Sequence, residues 1–160
     1  MMPIDAQASH APAALAASKS STSPFAGRWT YRSYVKDPAL VGDDANRALA
    51  LIFAEAVFTF EIPTSSTLKG TIEWTGGGLD LRGTLQPTGE GGAPVLEIVG
   101  TGRPATSTAG WEYDYHARLA YQWPAGVDQA PALVGTVMRA KAHDGGEAGY
   151  VASFIAVRQP

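Results

Sequence analysis

The sequence predicts an all-β domain, an eight-stranded antiparallel up-and-down β-barrel, and three observations carry that expectation. From Phe25 onward the chain is a series of runs that alternate apolar with polar residues, each ended by turn chemistry. Eighteen glycines and eleven prolines in 160 residues favour many turns and short strands over long helices. The runs number eight, and a meander of that many strands hides its two exposed edges by closing on itself.

The first run, Gly27 to Tyr34, stops at Asp37-Pro38. The second, Leu51 to Ile62, stops at Pro63, where the missing N–H cannot serve a ladder. Between them Asp44 is placed to cap a short helical turn over Asp43 to Ala48, ahead of the strand-prone Val57 to Ile62. Thr67 to Thr75 ends at the triple glycine Gly76 to Gly78, and Leu79 to Gln86 follows. In the first of these, Leu68, Gly70, Ile72 and Trp74 alternate with Lys69, Thr71, Glu73 and Thr75. That is the pattern of an antiparallel strand with one face in the core and one in water. Val95 to Gly102, Gly110 to Trp123, Ala132 to Ala142 and Tyr150 to Gln159 complete the set.

Residues 1–24, rich in Ala, Ser and Pro, read as a flexible N-terminal arm, and residues 25–160 as the single barrel domain. The arm lacks the basic start and continuous apolar centre of a signal peptide, since Leu15 is the one strongly apolar residue between Ala11 and Ala17. No stretch approaches the roughly 18 apolar residues of a membrane helix. The expectation is a cytoplasmic protein with no membrane partner. Net charge is −3 with no basic run, which argues against nucleic acid. The absence of cysteine removes disulfides, thiolate zinc sites and a cysteine nucleophile. Of three histidines, His10 lies in the arm and His143 in a turn, leaving His116 on a strand, so neither a metal site nor a cofactor is expected. Gly100 to Ala105 lacks the third glycine of a dinucleotide fingerprint, and neither a nucleophile elbow nor a phosphate-binding loop occurs.

Gly27-Arg28-Trp29 in the first strand and Arg158 near the end of the last resemble the signature of the calycin superfamily, shared by lipocalin and avidin-like barrels. The resemblance implies that Trp29 plugs one barrel end while Arg158 crosses its indole, a cation–π contact worth roughly 0.5–2 kcal/mol. Chain order agrees, because closing a meander brings first and last strands together. Lipocalins carry a helix after the barrel, whereas this chain ends almost with its eighth strand. In that respect it is more similar to avidins, but their biotin-contacting residues are not matched position by position and biotin binding is not carried over.

The stretch Gly110 to Trp123 offers two walls. Trp111, Tyr113, Tyr115, Ala117, Leu119, Tyr121 and Trp123 share one parity, and Glu112, Asp114, His116 and Arg118 share the other. With the aromatic wall inside, Tyr113, Tyr115 and Tyr121 join Trp74 around a cavity, Trp123 reaches a mouth, and Glu55 is the one inward charge. With the charged wall inside, Asp114 holds His116 and Arg118 stabilises an anion, an acid–base constellation. The first arrangement predicts a protein that binds a small apolar or aromatic molecule in a barrel mouth. The second predicts a cofactor-free barrel enzyme, a cyclase or isomerase. A third reading is a structural barrel that forms a homo-oligomer without ligand.

Overall fold

A computed structural model describes residues 23–36, 41–89, 92–124 and 128–160. Except for Ser23 and Pro24, the arm expected over residues 1–24 lies outside them. The strands are β1 (Gly27–Val35), β2 (Ile52–Thr64), β3 (Thr67–Trp74), β4 (Gly77–Thr88), β5 (Gly92–Gly102), β6 (Glu112–Leu119), β7 (Ala132–Arg139) and β8 (Val151–Arg158). Each pairs antiparallel with the next, and β8 pairs with β1, which closes the barrel. The one helix among the described residues is α1 (Ala45–Ala50), ahead of β2. Asp44 caps it by accepting from the main-chain N–H groups of Asn46 and Arg47.

Alternation decides what fills the barrel. Trp29, Tyr31 and Ser33 of β1, Phe58 and Phe60 of β2, and Tyr113, Tyr115 and Ala117 of β6 are buried, and their sequence neighbours are more exposed. Mid-barrel, Tyr31, Phe58, Tyr115 and Phe154 form an aromatic layer with ring centroids 4.8–6.3 Å apart, mostly edge to face. Each such ring removes roughly 150–250 Å² from water and gains further from the edge-to-face geometry. Gly100 makes room for one of them, since a Cβ there would lie 3.1 Å from the Tyr115 ring.

One end of the barrel is sealed. Trp29 is fully buried, Arg158 lies over its indole with 5.9 Å to the ring centroid, and the two residues are ladder partners. The indole Nε1 donates to the carbonyl of Phe25 (3.0 Å), and Arg158 Nη1 donates to that of Pro24 (3.1 Å). The turn before β1 is thereby folded across the end, with Phe25 buried beneath it. The plug expected from Trp29 and Arg158 is present.

Strand ends depart from the expectation: β5 starts at Gly92 and β7 stops at Arg139, and two other departures have a local cause. β2 continues through Pro63 to Thr64, because its pairing with β3 shifts register between Glu61 and Thr64. There the proline owes no ladder bond. β6 spans only Glu112–Leu119 of the expected Gly110 to Trp123. Gly110 has φ +82°, and the Trp111 N–H bonds to Thr108 in a turn, while at the far end Ala120 makes the last bond to Ala132.

On the outer surface, β7 and β8 carry an apolar ladder in which Val134 faces Ile155 and Met138 faces Val151. Trp29→Ala is expected to cost about 3–5 kcal/mol, the range for truncating a core aromatic. The check is the urea midpoint, and a midpoint equal to that of the parent chain removes Trp29 from the closure.

Candidate functional site

The end opposite Trp29 is open. There β1, β3, β5 and β7 finish, and β2, β4, β6 and β8 begin. A cavity of about 400 Å³ descends from this mouth to the aromatic layer. Tyr31, Phe53, Trp74, Trp111, Tyr113 and Tyr115 supply its rings, and Ile72, Leu79 and Val137 line it between them. At the rim stand Arg139, His143 and Asp144.

Local sequence explains each position. Trp74 faces Gly77 across the β3–β4 ladder, and a Cβ at Gly77 would meet the indole at 2.7 Å. The glycine is therefore what lets Trp74 fold over the mouth. Trp111 sits at the end of the β5–β6 connection, which is strapped to the neighbouring turn. Ser107 Oγ donates to the Gly76 carbonyl (3.1 Å) and the buried Thr108 Oγ1 to that of Gly78 (2.9 Å). Arg103 pairs with Glu73 and with Asp80 (2.7 Å) from the same connection. The straps bring Trp74 and Trp111 into near-parallel contact, 6.2 Å and 16° apart.

His143 completes the stack. Its ring lies 3.8 Å from that of Trp111 at 15°. Asp144-Gly145 is the reason. Both residues have positive φ (48° and 76°), and His143 and Gly146 exchange main-chain hydrogen bonds of 3.1 and 2.8 Å. This is a tight two-residue hairpin turn of the kind that favours Asp-Gly. It directs the imidazole back over the mouth.

Beneath it, His143 Nε2 is 2.8 Å from the Tyr113 hydroxyl, and Arg139 Nε donates to the same oxygen at 3.4 Å. The phenol oxygen accepts from the guanidinium and shares a hydrogen bond with Nε2 whose donor the imidazole tautomer sets. Nδ1 is a buried atom with no hydrogen-bond partner, and its nearest acid, Asp144, is 3.9 Å away. Burial lowers the His143 pKa, Arg139 lowers it further, and Asp144 opposes both. Burial also raises the phenols of Tyr31 and Tyr115, which stay neutral. The mouth thus combines apolar rings with a neutral imidazole, a phenol hydroxyl, one guanidinium and the Asp144 carboxylate at the rim.

Trp74, Tyr113 and Tyr115 occupy the cavity wall. The other expected site residues do not. Tyr121 and Trp123 are 72% and 69% exposed, packed edge to face on each other. They follow the last β6 ladder bond and lie in the connection at the sealed end, so strand parity no longer governs them. Glu55 borders the cavity, but its carboxylate is turned outward to Arg32, its ladder partner. Asp114, His116 and Arg118 project from the outer face of β6, with His116 exposed beside Glu97 of β5. A strand has one inward parity, and burial of Tyr113, Tyr115 and Ala117 takes it. The acid–base constellation expected from those three residues is not formed inside the barrel.

Arg139 and His143 were missed as site residues. The signal for Arg139 was its phase, since it continues the inward series Leu133, Gly135, Val137. His143 carried no strand signal because a turn places it. Compared with known proteins, the chain matches no family model, no curated protein and no solved structure. The site is therefore argued from its geometry.

The imidazole gives a pH prediction. An unfolded histidine titrates near 6.5, and folded His143 titrates lower. Between those values the unfolded chain holds more protons, so stability is full above 6.5 and falls as pH drops through the window. In melting curves collected across that window, His143→Gln is expected to lose this part of the acid destabilisation. Superimposable pH profiles for the two proteins would place the imidazole in water in both states.

Proposed function

We propose that this protein binds a small apolar or aromatic molecule in the open mouth of a calycin-like barrel. One observation carries the reading: a cavity of about 400 Å³ with an aromatic wall, open at one end while the other end is plugged. Its volume falls within the roughly 300–1,000 Å³ of small-molecule sites, and its few polar groups are concentrated at one rim. Tyr115 adds a neutral hydroxyl among the rings, suited to fixing a ligand's orientation. Kinship with calycins is supported by Gly27, Trp29 and Arg158 acting together at the plug, and by the closed meander.

A second reading has its own support. Tyr113, His143 and Arg139 converge on one hydroxyl at the cavity rim, the arrangement a cofactor-free isomerase or cyclase uses to move a proton. Homo-oligomerisation is supported only by the apolar ladder outside β7 and β8.

Titration with a panel of one- and two-ring aromatic compounds is expected to change the indole emission of Trp74 and Trp111. Trp111→Ala should weaken any ligand found by more than about 1 kcal/mol, since it removes one aromatic wall. Trp123→Ala should leave affinity unchanged. A ligand that responds to Trp123→Ala and ignores Trp111→Ala binds at the sealed end, and the mouth then loses its function.

A further inference from the structure

Arg139 occupies the last inward position of β7, opposite Tyr113. Its guanidinium reaches the cavity rim along Gly146, where a Cβ would collide with it. It lies against two aromatic faces, 5.9 Å from the centroid of Phe53 and 5.8 Å from that of Tyr150. Its hydrogen bonds go to the Tyr113 hydroxyl and to the Glu147 carbonyl (3.3 Å). Among the described residues no carboxylate lies within 4.0 Å of it. Of the acids near the mouth, Glu55, Glu73, Asp80, Glu112 and Asp144, only Asp144, 3.9 Å from His143 Nδ1, is without a lysine or arginine partner. Glu55 is held by Arg32, Glu112 by Lys141, and Glu73 and Asp80 by Arg103. A guanidinium has five donors, so Arg139 retains donors without a charged acceptor, in an aromatic setting that strengthens a charge-assisted bond.

We propose that the ligand of this cavity is an aromatic monocarboxylate, its rings on the Trp74–Trp111 wall and its carboxylate held by Arg139. The inference rests on the binding function proposed above and adds the ligand's charge and where that charge sits. One uncompensated cation matches one negative charge. A dianion would need a second cation, and the neighbouring imidazole is neutral.

A pH dependence follows. The groups facing His143 are Arg139, Asp144 and the Tyr113 hydroxyl, while Trp111 covers its ring. Lys141, two residues away, is paired with Glu112 (2.6 Å). Burial first and Arg139 second hold His143 neutral, and a carboxylate bound at Arg139 offsets the second of these, so the ligand and a proton bind cooperatively. Affinity for the anion therefore rises as pH falls toward the histidine range.

The test uses the full chain and two probes of nearly equal shape, 2-naphthoate and the neutral 2-naphthamide, with affinities from indole quenching. Naphthoate is expected to bind about tenfold tighter than the amide, the scale of one charge-assisted contact. Between about pH 8 and about pH 6 its affinity should rise while that of the amide stays flat. In Arg139→Gln the two probes should converge, with amide binding retained as proof that the cavity is intact. Arg139→Lys, which keeps the charge, should retain part of the preference. In His143→Gln the preference should persist without the pH slope. If the amide binds as well as naphthoate to the parent chain, the anion proposal is overturned and the cavity function stands. If neither probe binds, the cavity reading fails and this inference falls with it. A naphthoate preference that ignores pH overturns the role given to His143.

Discussion

Everything in this molecule depends on β1 pairing with β8. The contact joins Trp29 through Val35 to Arg158 through Ala152. Without it, a meander of eight strands has two open edges and a face of exposed rings. With it, every inward residue meets the opposite wall, and the interior is filled from both ends of the sequence. The same pairing sets Arg158 beside Trp29, so the latch that seals one end is made of the two residues that closure brings together. The lost entropy of joining such distant segments is large, and the buried aromatic layer offsets it.

A barrel sealed at one end has its freedom at the other. The sealed end is packed by large apolar residues from almost every strand, among them Phe25, Trp29, Phe60, Leu96 and Leu133. The open end is shaped by two connections held in place by polar contacts. Ser107, Thr108 and Arg103 tie the β5–β6 connection to the β3–β4 turn, and the Asp144-Gly145 turn holds His143 on Trp111. The exposed contacts among these are individually weak, but they act in parallel with the buried Thr108 hydrogen bond on short segments. They hold Trp74, Trp111 and His143 as a continuous stack instead of letting the rings collapse into the cavity. The two ends thus differ, one packed solid and the other open around the cavity proposed to bind a ligand.

Polar groups at the mouth are arranged so that few are charged. Burial and Arg139 keep His143 neutral, and burial keeps Tyr31 and Tyr115 protonated. Arg139 carries its charge beside the rim carboxylate of Asp144, stabilised by the faces of Phe53 and Tyr150 and not by an ion pair. A cation held by quadrupoles keeps its charge available in a way that an ion-paired cation such as Arg32 or Arg103 does not. That difference is what fits Arg139, and not Arg32 or Arg103, to the anion-holding role proposed for it.

The sequence alone determined the fold. Apolar alternation in Leu68 to Trp74 and Leu79 to Leu85, with turns at regular intervals, specifies antiparallel strands, and the pattern recurs along the chain. Trp29 and Arg158 were legible as a plug through the resemblance to the calycin signature, with which strand order agrees. Trp74, Tyr113 and Tyr115 were legible as cavity residues because parity propagates along an intact strand. Tyr121 and Trp123 show where that reasoning ends, for parity has no meaning once the ladder stops after Ala120. Glu55 shows a second limit, since an apolar neighbourhood in sequence did not reveal the Arg32 side chain waiting on the outer face. Only the tertiary structure decided the rim of the site. Arg139 and His143 are brought to Tyr113 by a strand end and a tight turn whose directions depend on φ angles and straps between distant segments, and one-dimensional spacing carries neither.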